Sequence, residues 1–205
     1  MNILVVRTSE QIDLAFARLN EASVLGCDTE TSSLNPRYGK LLSVQFSDGD
    51  FGVLVPVSEG VRLGKLGDLL ADVSITKVFH NSKFDLEFLS AAQIPVGNVF
   101  DTMIAERVLT RGANQSASLA ETLYRYFAVD LEKSHRSKFN RSWDGVWTDE
   151  LVDYALSDVI HLPALMQEQK LWMERLGLSR EYDDQMSRVQ SAGTSPSAQS
   201  GRSIE

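Results

Sequence analysis

The sequence predicts a mixed α/β domain built around one central sheet, with helices on its faces. Short apolar strands alternate with helical segments in the first half of the chain, and helical patterns dominate from residue 102 onward. The apolar runs 41–46 and 51–57 are separated by turn residues at 47–50, which predicts an antiparallel hairpin. Together these patterns are typical of a domain with one mixed sheet.

Local patterns predict the individual elements. Thr8 and Gln11 form a capping box ahead of a helical apolar stripe that ends at Leu19. Pro163 is expected to break or kink the long helix that Thr148 opens. Strands are predicted at residues 3–6, 24–30, 41–46, 51–57 and 76–80. Further helices are predicted over 82–92, from 102 and over 119–126.

Length and composition indicate one domain. The chain has 205 residues, of which 43% are apolar and 23% charged, and we expect one folded unit over residues 1–178. Residues 179–205 are predicted to be a disordered tail, because the stretch from 187 is rich in Ser, Gly, Gln and Ala and has no apolar period.

The sequence also bears on the cellular compartment of the protein and on the charge that a partner would meet. The single Cys27 suits a reducing cytoplasm, and no apolar stretch has the length of a signal peptide or a membrane span, so we expect a cytoplasmic protein without a membrane partner. The formal net charge of −8 has the wrong sign for a typical nucleic-acid binder. Part of that acid excess would be neutralised if the acids hold metal ions.

Acidic residues at the ends or on the faces of apolar segments are the chemically informative feature. Asp28 and Glu30 end a buried strand two residues apart, so their side chains share one face. Such a pair can share one metal ion, or bind one ion while orienting a water molecule. A polar strand end that enters a loop would give the same two residues, so the pair alone is not specific.

Asp85 lies in a second cluster, four residues after Asn81, and the two would share a face of a helix that follows a strand. There Asn81 can position a nucleotide and Asp85 can bind metal. In the alternative interpretation, Asn81 and Ser82 are helix caps and Asp85 is a solvated surface residue.

A third cluster places Tyr154 four residues before Asp158 on an apolar helix. A tyrosine hydroxyl one turn from a metal-bound carboxylate can orient an attacking water molecule. The alternative is a core tyrosine beside an exposed acid. Four carboxylates that converge need cations, and hard divalent metals suit an all-oxygen site, so the clusters together indicate metal-assisted phosphodiester hydrolysis.

Taken in chain order, the clusters resemble the DEDD superfamily of 3′–5′ exonucleases, in its tyrosine subclass. The first cluster matches the pattern DxExxxL, which ends at Leu34, and the third matches YxxxD. The second reads His80-Asn81-x-Lys83-Phe84-Asp85, and a further matching segment begins at Asp101. The resemblance covers residues 20–170. Within the superfamily, the chain resembles the proofreading domain of bacterial DNA polymerase I and ribonuclease D.

The resemblance implies a ribonuclease H-like fold and a two-metal mechanism. Two divalent ions, Mg²⁺ or Mn²⁺, are implied as cofactors, and nucleoside 5′-monophosphates as products released from a 3′ end. Tyr154 and Glu30 would orient the water. The implied metal ligands are Asp28, Glu30, Asp85 and Asp158.

Substrate contacts are implied for the residues around the acids. Leu34 matches a position that wedges against the terminal base, Phe84 would stack beside it, and His80 would line the terminal nucleotide with Asn81. Core packing of Leu34 and Phe84, and a satisfied histidine at a strand end, are the alternatives. Residues 124–147 interleave basic and aromatic side chains, which suits either a single-strand path or a solvated loop anchored by its aromatic residues.

The sequence therefore predicts a metal-dependent 3′–5′ exonuclease that acts on the 3′ end of single-stranded DNA or RNA. DNA is favoured slightly, because Leu34 and Asn81 fit the proofreading pattern. A ribonuclease D-like exoribonuclease is the near alternative, and a catalytically inactive nucleic-acid-binding module is the alternative from another class. A proofreading role would require a DNA polymerase or another replication or repair protein as partner.

Overall fold

A computed structural model describes residues 2–111, 113–131, 138–140 and 142–193, with side chains up to residue 189. Six strands form one sheet in the order β1-β4-β3-β2-β5-β6. The strands are β1 (Asn2–Val5), β2 (Val24–Thr31), β3 (Leu41–Ser47), β4 (Phe51–Val55), β5 (Thr76–Phe79) and β6 (Val99–Asp101).

The sheet is mixed, as predicted. β3 pairs antiparallel with β4, which confirms the hairpin, and also antiparallel with β2. β2 pairs parallel with β5, β5 with β6, and β1 with β4. β2 therefore lies inside the sheet, between an antiparallel and a parallel neighbour.

Eight helices flank the sheet within the described residues. They are α1 (Ser9–Leu19), α2 (Lys65–Ala71), α3 (Ser82–Ala91), α4 (Thr102–Thr110), α5 (Leu119–Phe127), α6 (Asp149–Ile160), α7 (Leu162–Leu176) and α8 (Ser179–Gly193). The predicted capping box at Thr8 is present, and the break at Pro163 separates α6 from α7.

Two hydrophobic clusters form the core, one on each face of the sheet. The first joins the sheet to α1 and α2, and the second joins it to α4, α6, α7 and α8. Leu25 and Cys27 of β2 belong to the first cluster. Because side chains alternate along a strand, Gly26, Asp28 and Glu30 face the second side, where α6 lies across β2, β3 and β4.

Gly26 is the point of closest approach between β2 and the α6–α7 junction. A Cβ atom added to Gly26 would overlap the carbonyl oxygen of Val159 and lie 3.2 Å from both the Leu162 Cβ and the Pro163 Cδ. A glycine is therefore required here for steric reasons. The contact fixes the height of α6 above the strand that carries Asp28.

The predicted disordered tail is wrong for residues 179–193, which form α8. Tyr182 and Met186 are buried in the second cluster, and the Tyr182 ring stacks on Phe100 with centroids 4.8 Å apart. The polar composition of the segment hides a helical apolar stripe, in which Tyr182, Met186 and Val189 follow Leu178. The folded unit thus continues past 178, and residues 194–205 lie outside the described residues.

No helix in the described part of the chain combines the length and the apolar character that a bilayer crossing requires.

Replacing Gly26 by alanine should destabilise the protein by about 1–3 kcal/mol, because the added methyl group overpacks the β2–α6 contact. Urea unfolding measures the change. Gly67→Ala in α2 is the matched control: its added Cβ lies 3.6 Å from the Leu63 Cβ, an ordinary contact, and should stabilise the helix by about 0.5–1 kcal/mol. Equal effects of the two substitutions would contradict the steric role of Gly26.

Candidate active site

Three carboxylates from two elements meet above the middle of the sheet. Asp28 and Glu30 come from β2, and Asp158 comes from the last turn and a half of α6. Each offers one oxygen atom, and these atoms all lie within 4.8 Å of one another. The structure thus brings together two clusters that are separated by more than a hundred residues in the chain.

A cavity of about 620 Å³ contains these acids. All nine residues that the sequence singled out for the site line this one cavity. They are Asp28, Glu30, Leu34, His80, Asn81, Phe84, Asp85, Tyr154 and Asp158.

Asp85 is the fourth acid, and it is not a solvated surface residue. It lies in the first turn of α3, and 2% of it is exposed. The Thr29 hydroxyl, itself buried, donates a hydrogen bond of 2.6 Å to the Asp85 Oδ1. Thr29 therefore couples β2 to α3 and fixes the orientation of the Asp85 carboxylate.

Crowding of the acids changes their protonation. Burial raises the pKa of Asp28 well above its ordinary value, and so do the charges of the three other acids, of which Asp85 contributes most. Burial also raises the pKa of Asp85 to about 7, although the Thr29 hydroxyl lowers it. Without a cation, the folded protein therefore holds protons on this cluster that an unfolded chain would release.

Asp101 joins the starts of α3 and α4 beside the cavity. Its carboxylate accepts hydrogen bonds from the backbone N–H groups of Ser82 (2.7 Å) and Asn81 (3.2 Å), at the start of α3. It also caps α4, by accepting from the N–H groups of Met103 (2.9 Å) and Ile104 (3.1 Å). One side chain thus joins the N-termini of the two helices.

Asn81 and His80 both line this cavity. Asn81 adopts a left-handed backbone conformation, with φ 70°, and its exposed side chain makes no capping hydrogen bond. Asn81 therefore occupies the N-cap position of α3, but the interpretation that its side chain caps the helix is wrong. Burial lowers the pKa of His80 to about 4, so the ring is neutral at neutral pH, with its Nδ1 2.8 Å from the Thr102 hydroxyl.

The second ring nitrogen of His80 is incompletely hydrogen-bonded. His80 Nε2 is buried and forms no hydrogen bond of ordinary geometry within the described chain, although a contact with the backbone of Ala117 raises the pKa of the ring. A buried polar atom without a partner is unfavourable unless a ligand satisfies it. The interpretation of His80 as a fully satisfied residue at a strand end is thus incomplete.

Two apolar residues differ in their surroundings. Leu34 is 79% exposed, although it lines the cavity, so its interpretation as a core residue is wrong. Phe84 is half-buried, and its ring lies 5.2 Å from that of Phe88 in a tilted contact. An apolar rim at the mouth of an acidic cavity suits contact with a planar base.

Phe139 and Trp147 anchor the region 124–147, whereas Tyr124 is exposed. Phe139 and Trp147 are buried, and Phe139 contacts Trp143, Trp147 and Tyr154 with ring centroids between 5.3 and 6.1 Å apart. This favours the loop anchored by aromatic residues over a row of stacking platforms. Lys133, His135, Arg136 and Arg141, which belonged to the predicted strand path, lie outside the described residues.

The same aromatic group supports Tyr154. This residue is half-buried on α6, one helical turn before Asp158, and it lines the cavity. Contact with Phe139 therefore fixes the ring position beside the acids.

The donor set fits a hard divalent cation. Its oxygen atoms come from carboxylates alone, which suits Mg²⁺ or Mn²⁺ better than softer metals. The repulsion that the three other acids exert on Asp28, which helps to raise its pKa, would be relieved by a bound cation.

Sequence reasoning did not identify Thr29 as part of the site. Its side chain belongs to the face of β2 opposite to Asp28 and Glu30, so strand periodicity places it away from the acids. The far wall of the cavity was anticipated only in part: Leu131, Phe139 and Asn140 belong to the region 124–147, whereas Ala120 and Leu162 come from segments without a chemical motif. That wall consists of Met103, Ser118, Leu119, Ala120, Leu131, Phe139, Asn140 and Leu162.

A family model of 3′–5′ exonucleases matches residues 3–174 of the chain. Ribonuclease D of Zymomonas mobilis is 29% identical over 178 residues, a match that covers 84% of this chain and 44% of that protein. DNA polymerase I of Aquifex aeolicus is 28% identical over 181 residues, which are 88% of this chain and 29% of the polymerase. The chain thus spans less than half the length of these relatives.

Solved structures show the same fold. Brucella melitensis NrnC with bound Mg²⁺ matches with a TM-score of 0.78 and 25% identity, over 94% of this chain and 92% of that one. Escherichia coli RNase D, an exoribonuclease involved in structured RNA processing, matches with a TM-score of 0.85 and 24% identity, over 97% of this chain and 52% of its own. The predicted ribonuclease H-like fold and the predicted resemblance are confirmed.

The stability of the metal-free protein should fall as pH rises from about 4 to about 7. An acid whose pKa is raised by folding keeps its proton in the folded state, while the unfolded chain releases it, at about 1.4 kcal/mol per pH unit for each such proton. The pKa of Asp85, about 7, gives the upper end of the window for the proton on that residue. Urea unfolding in EDTA at several pH values measures the slope.

Asp85→Asn should flatten that slope, because it removes the titrating group while the amide oxygen still accepts the Thr29 hydroxyl. Asp153→Asn, an exposed acid on α6, is the control and should leave the slope unchanged. Equal slopes in the original protein and in Asp85→Asn would contradict the raised pKa.

Thr29→Val should weaken binding of Mn²⁺ by about 10- to 100-fold, the range seen when a residue that orients a metal ligand is lost. Valine keeps the volume of threonine and removes the hydroxyl that holds Asp85. Titration calorimetry measures the affinity, and Thr29→Ser, which retains a hydroxyl, should restore most of it. Equal affinities in the valine and serine variants would show that the hydrogen bond to Asp85 does not matter for metal binding.

Proposed function

Because the chain belongs to the 3′–5′ exonuclease family, we propose that it removes nucleotides one at a time from the 3′ end of a single-stranded nucleic acid. The products are nucleoside 5′-monophosphates. The convergence of Asp28, Glu30 and Asp158 in one cavity, beside the buried Asp85, is the observation that supports this activity most directly. His80 lines the same cavity, but the group of clustered ligand atoms found among the described residues consists of carboxylates, which suits oxygen-ligated metals over zinc.

The four acids would hold two divalent ions, Mg²⁺ or Mn²⁺. When bound, such ions stabilise the charge on the attacking and leaving oxygens of a phosphodiester. Asp28 is central to the group, since the charges of all three other acids act on it. The orientation of Asp85 comes from Thr29.

Tyr154 and Glu30 are proposed to orient the attacking water. α6 carries Tyr154 one turn before Asp158, so its ring and the metal-binding acids face the same cavity. The contact with Phe139 limits the movement of the ring. Positioning of this kind contributes about 10²–10⁴-fold to rates when it includes proton transfer.

The terminal nucleotide would lie between Leu34 and Phe84, with its polar groups toward His80 and Asn81. Leu34 is exposed on the rim and Phe84 is supported from behind by Phe88. His80 Nε2 would gain the hydrogen bond of ordinary geometry that it lacks within the described chain. The strained backbone of Asn81 fits a residue held in place for ligand contact.

RNA is a specific rival to the DNA substrate that the sequence favoured slightly. The relative from Zymomonas mobilis is named ribonuclease D, and this name favours RNA. The DNA preference stays a prediction, as does a polymerase partner. The inactive binding module is the less favoured alternative, because all four acids and Tyr154 line the cavity.

The test is degradation of matched 5′-labelled single-stranded DNA and RNA in the presence of Mg²⁺ or Mn²⁺. We expect a ladder that shortens from the 3′ end. Asp28→Asn and Asp158→Asn should each reduce the rate by more than roughly 100-fold, because both remove a metal ligand. The faster polymer identifies the preferred substrate.

Asp153→Asn is the matched control on α6, since this acid is exposed and does not line the cavity. It should degrade both polymers at the original rate. Absence of shortening on either polymer, with folded protein and metal present, would reject the exonuclease and leave the binding module.

A further inference from the structure

The loop between β2 and β3, residues 32–40, carries exposed side chains of an unusual combination. Leu34 is 79% exposed and Tyr38 67% exposed, which is unfavourable for large apolar groups in water. Arg37 and Lys40 are exposed in the same loop, and neither forms an ion pair within the described part of the chain. Aromatic, aliphatic and cationic groups are thus presented together at the edge of the cavity that Leu34 lines.

This rim loop, defined as residues 32–40, is held by its own backbone. At its base, Ser32 N–H donates to the Lys40 carbonyl at 3.0 Å, and Lys40 N–H donates to the Ser32 hydroxyl at 2.9 Å. At its tip, the Asn35 carbonyl accepts from the N–H groups of Tyr38 (3.1 Å) and Gly39 (2.8 Å). Tyr38 is therefore kept within one turn of chain from Leu34.

The rim loop is also fixed to the cavity wall. A Cβ atom added to Gly39 would lie 3.0 Å from two ring atoms of Phe88, so the loop backbone rests directly on that ring. Phe88 in turn contacts Phe84, which lines the cavity. A loop with this support keeps its exposed groups in place before a ligand arrives, which lowers the entropic cost of binding.

We propose that the rim loop binds the nucleotides on the 5′ side of the terminal one, with Tyr38 stacking on a base and Arg37 contacting a phosphate. This proposal rests on the proposed function, since it assumes that the cavity takes a 3′ end. An unpaired strand offers base faces and phosphates in alternation, and the loop offers an aromatic ring beside a cation. The two sets of groups are complementary in polarity and charge.

The partner is a single strand for two further reasons. Bases in a duplex are stacked on each other and cannot cover an exposed tyrosine ring, whereas an unpaired base can. The molecule has a net charge of −8, so the phosphates that lie outside the cavity require local cations to approach it. Arg37, one residue from Tyr38, is such a cation, and Lys40 adds a second one.

The test compares two substrates. One is a single-stranded octanucleotide of the preferred polymer, and the other is the p-nitrophenyl ester of thymidine 5′-monophosphate, which has no nucleotide on its 5′ side. Tyr38→Ala should raise KM for the octanucleotide about tenfold, the effect of losing one base–aromatic stack. It should leave hydrolysis of the ester unchanged, because the ester reaches only the cavity.

Arg37→Gln should make binding of the octanucleotide less dependent on salt concentration. Loss of one phosphate contact reduces the slope of log affinity against log salt concentration by about 0.7 for a single strand. Binding of a fluorescein-labelled octanucleotide in Ca²⁺, which replaces the catalytic ions, measures this slope. Arg62→Gln is the matched control, since Arg62 is an exposed arginine that does not line the cavity.

Tyr124→Ala is the control for the stack. Tyr124 is 62% exposed, similar to Tyr38, but it lies on α5 and does not line the cavity. If Tyr124→Ala raised KM for the octanucleotide and Tyr38→Ala did not, the proposal would be overturned and the strand path would lie along α5 instead. If Tyr38→Ala impaired hydrolysis of both substrates equally, the proposal would also be overturned, because the substitution would then have damaged the cavity itself.

The two proposals fail in different ways. Failure of the original protein to hydrolyse either substrate would reject the exonuclease. The proposal for the rim loop would then be tested by the binding experiment in Ca²⁺, where Tyr38→Ala either weakens octanucleotide binding about tenfold or has no effect. No effect there would overturn the proposal for the loop.

Discussion

Repulsion among four carboxylates in one cavity is the constraint on which the rest of this structure depends. Burial and neighbouring charges raise the pKa of Asp28, so the acids oppose their own convergence. The fold holds them together through backbone contacts that the charges cannot easily move: the central position of β2 in the sheet and the close approach of α6 at Gly26. The energy of two hydrophobic clusters thus maintains a site that is unfavourable without a cation.

Asp101 shows what a buried acid looks like when its role is structural. It is as buried as Asp85, and its carboxylate accepts four backbone N–H groups and the hydroxyl of Ser82. Asp85 accepts the hydroxyl of Thr29, the backbone N–H groups of Thr29 and Asp85 also lower its pKa, and it faces other acids. Two equally buried aspartates in adjacent elements therefore differ in how far protein donors satisfy them. Of the two, Asp85 is the one that we propose as a metal ligand, since fewer backbone donors satisfy its carboxylate.

The sequence was most informative where periodicity and chemistry coincide. Strand alternation placed Asp28 and Glu30 on one face, and helical spacing placed Tyr154 and Asp158 together, because these geometries are local. α2 and β6 were not predicted, since seven and three residues carry too little pattern. α8 was taken for disorder, because tertiary burial of Tyr182 and Met186 outweighed a polar composition. Thr29 was beyond reach, since its partner Asp85 is 56 residues away.

The negative net charge and a nucleic-acid substrate are compatible once the position of each charge is considered. The acids that a metal would neutralise lie inside the cavity, where the scissile phosphate must come. The cations Arg37 and Lys40 are exposed on the rim loop, where the proposed path would bring the phosphates of the remaining strand. Under the proposed function, bound metal ions would remove the repulsion between these acids and a phosphate. Total charge alone is therefore a poor guide to the partner.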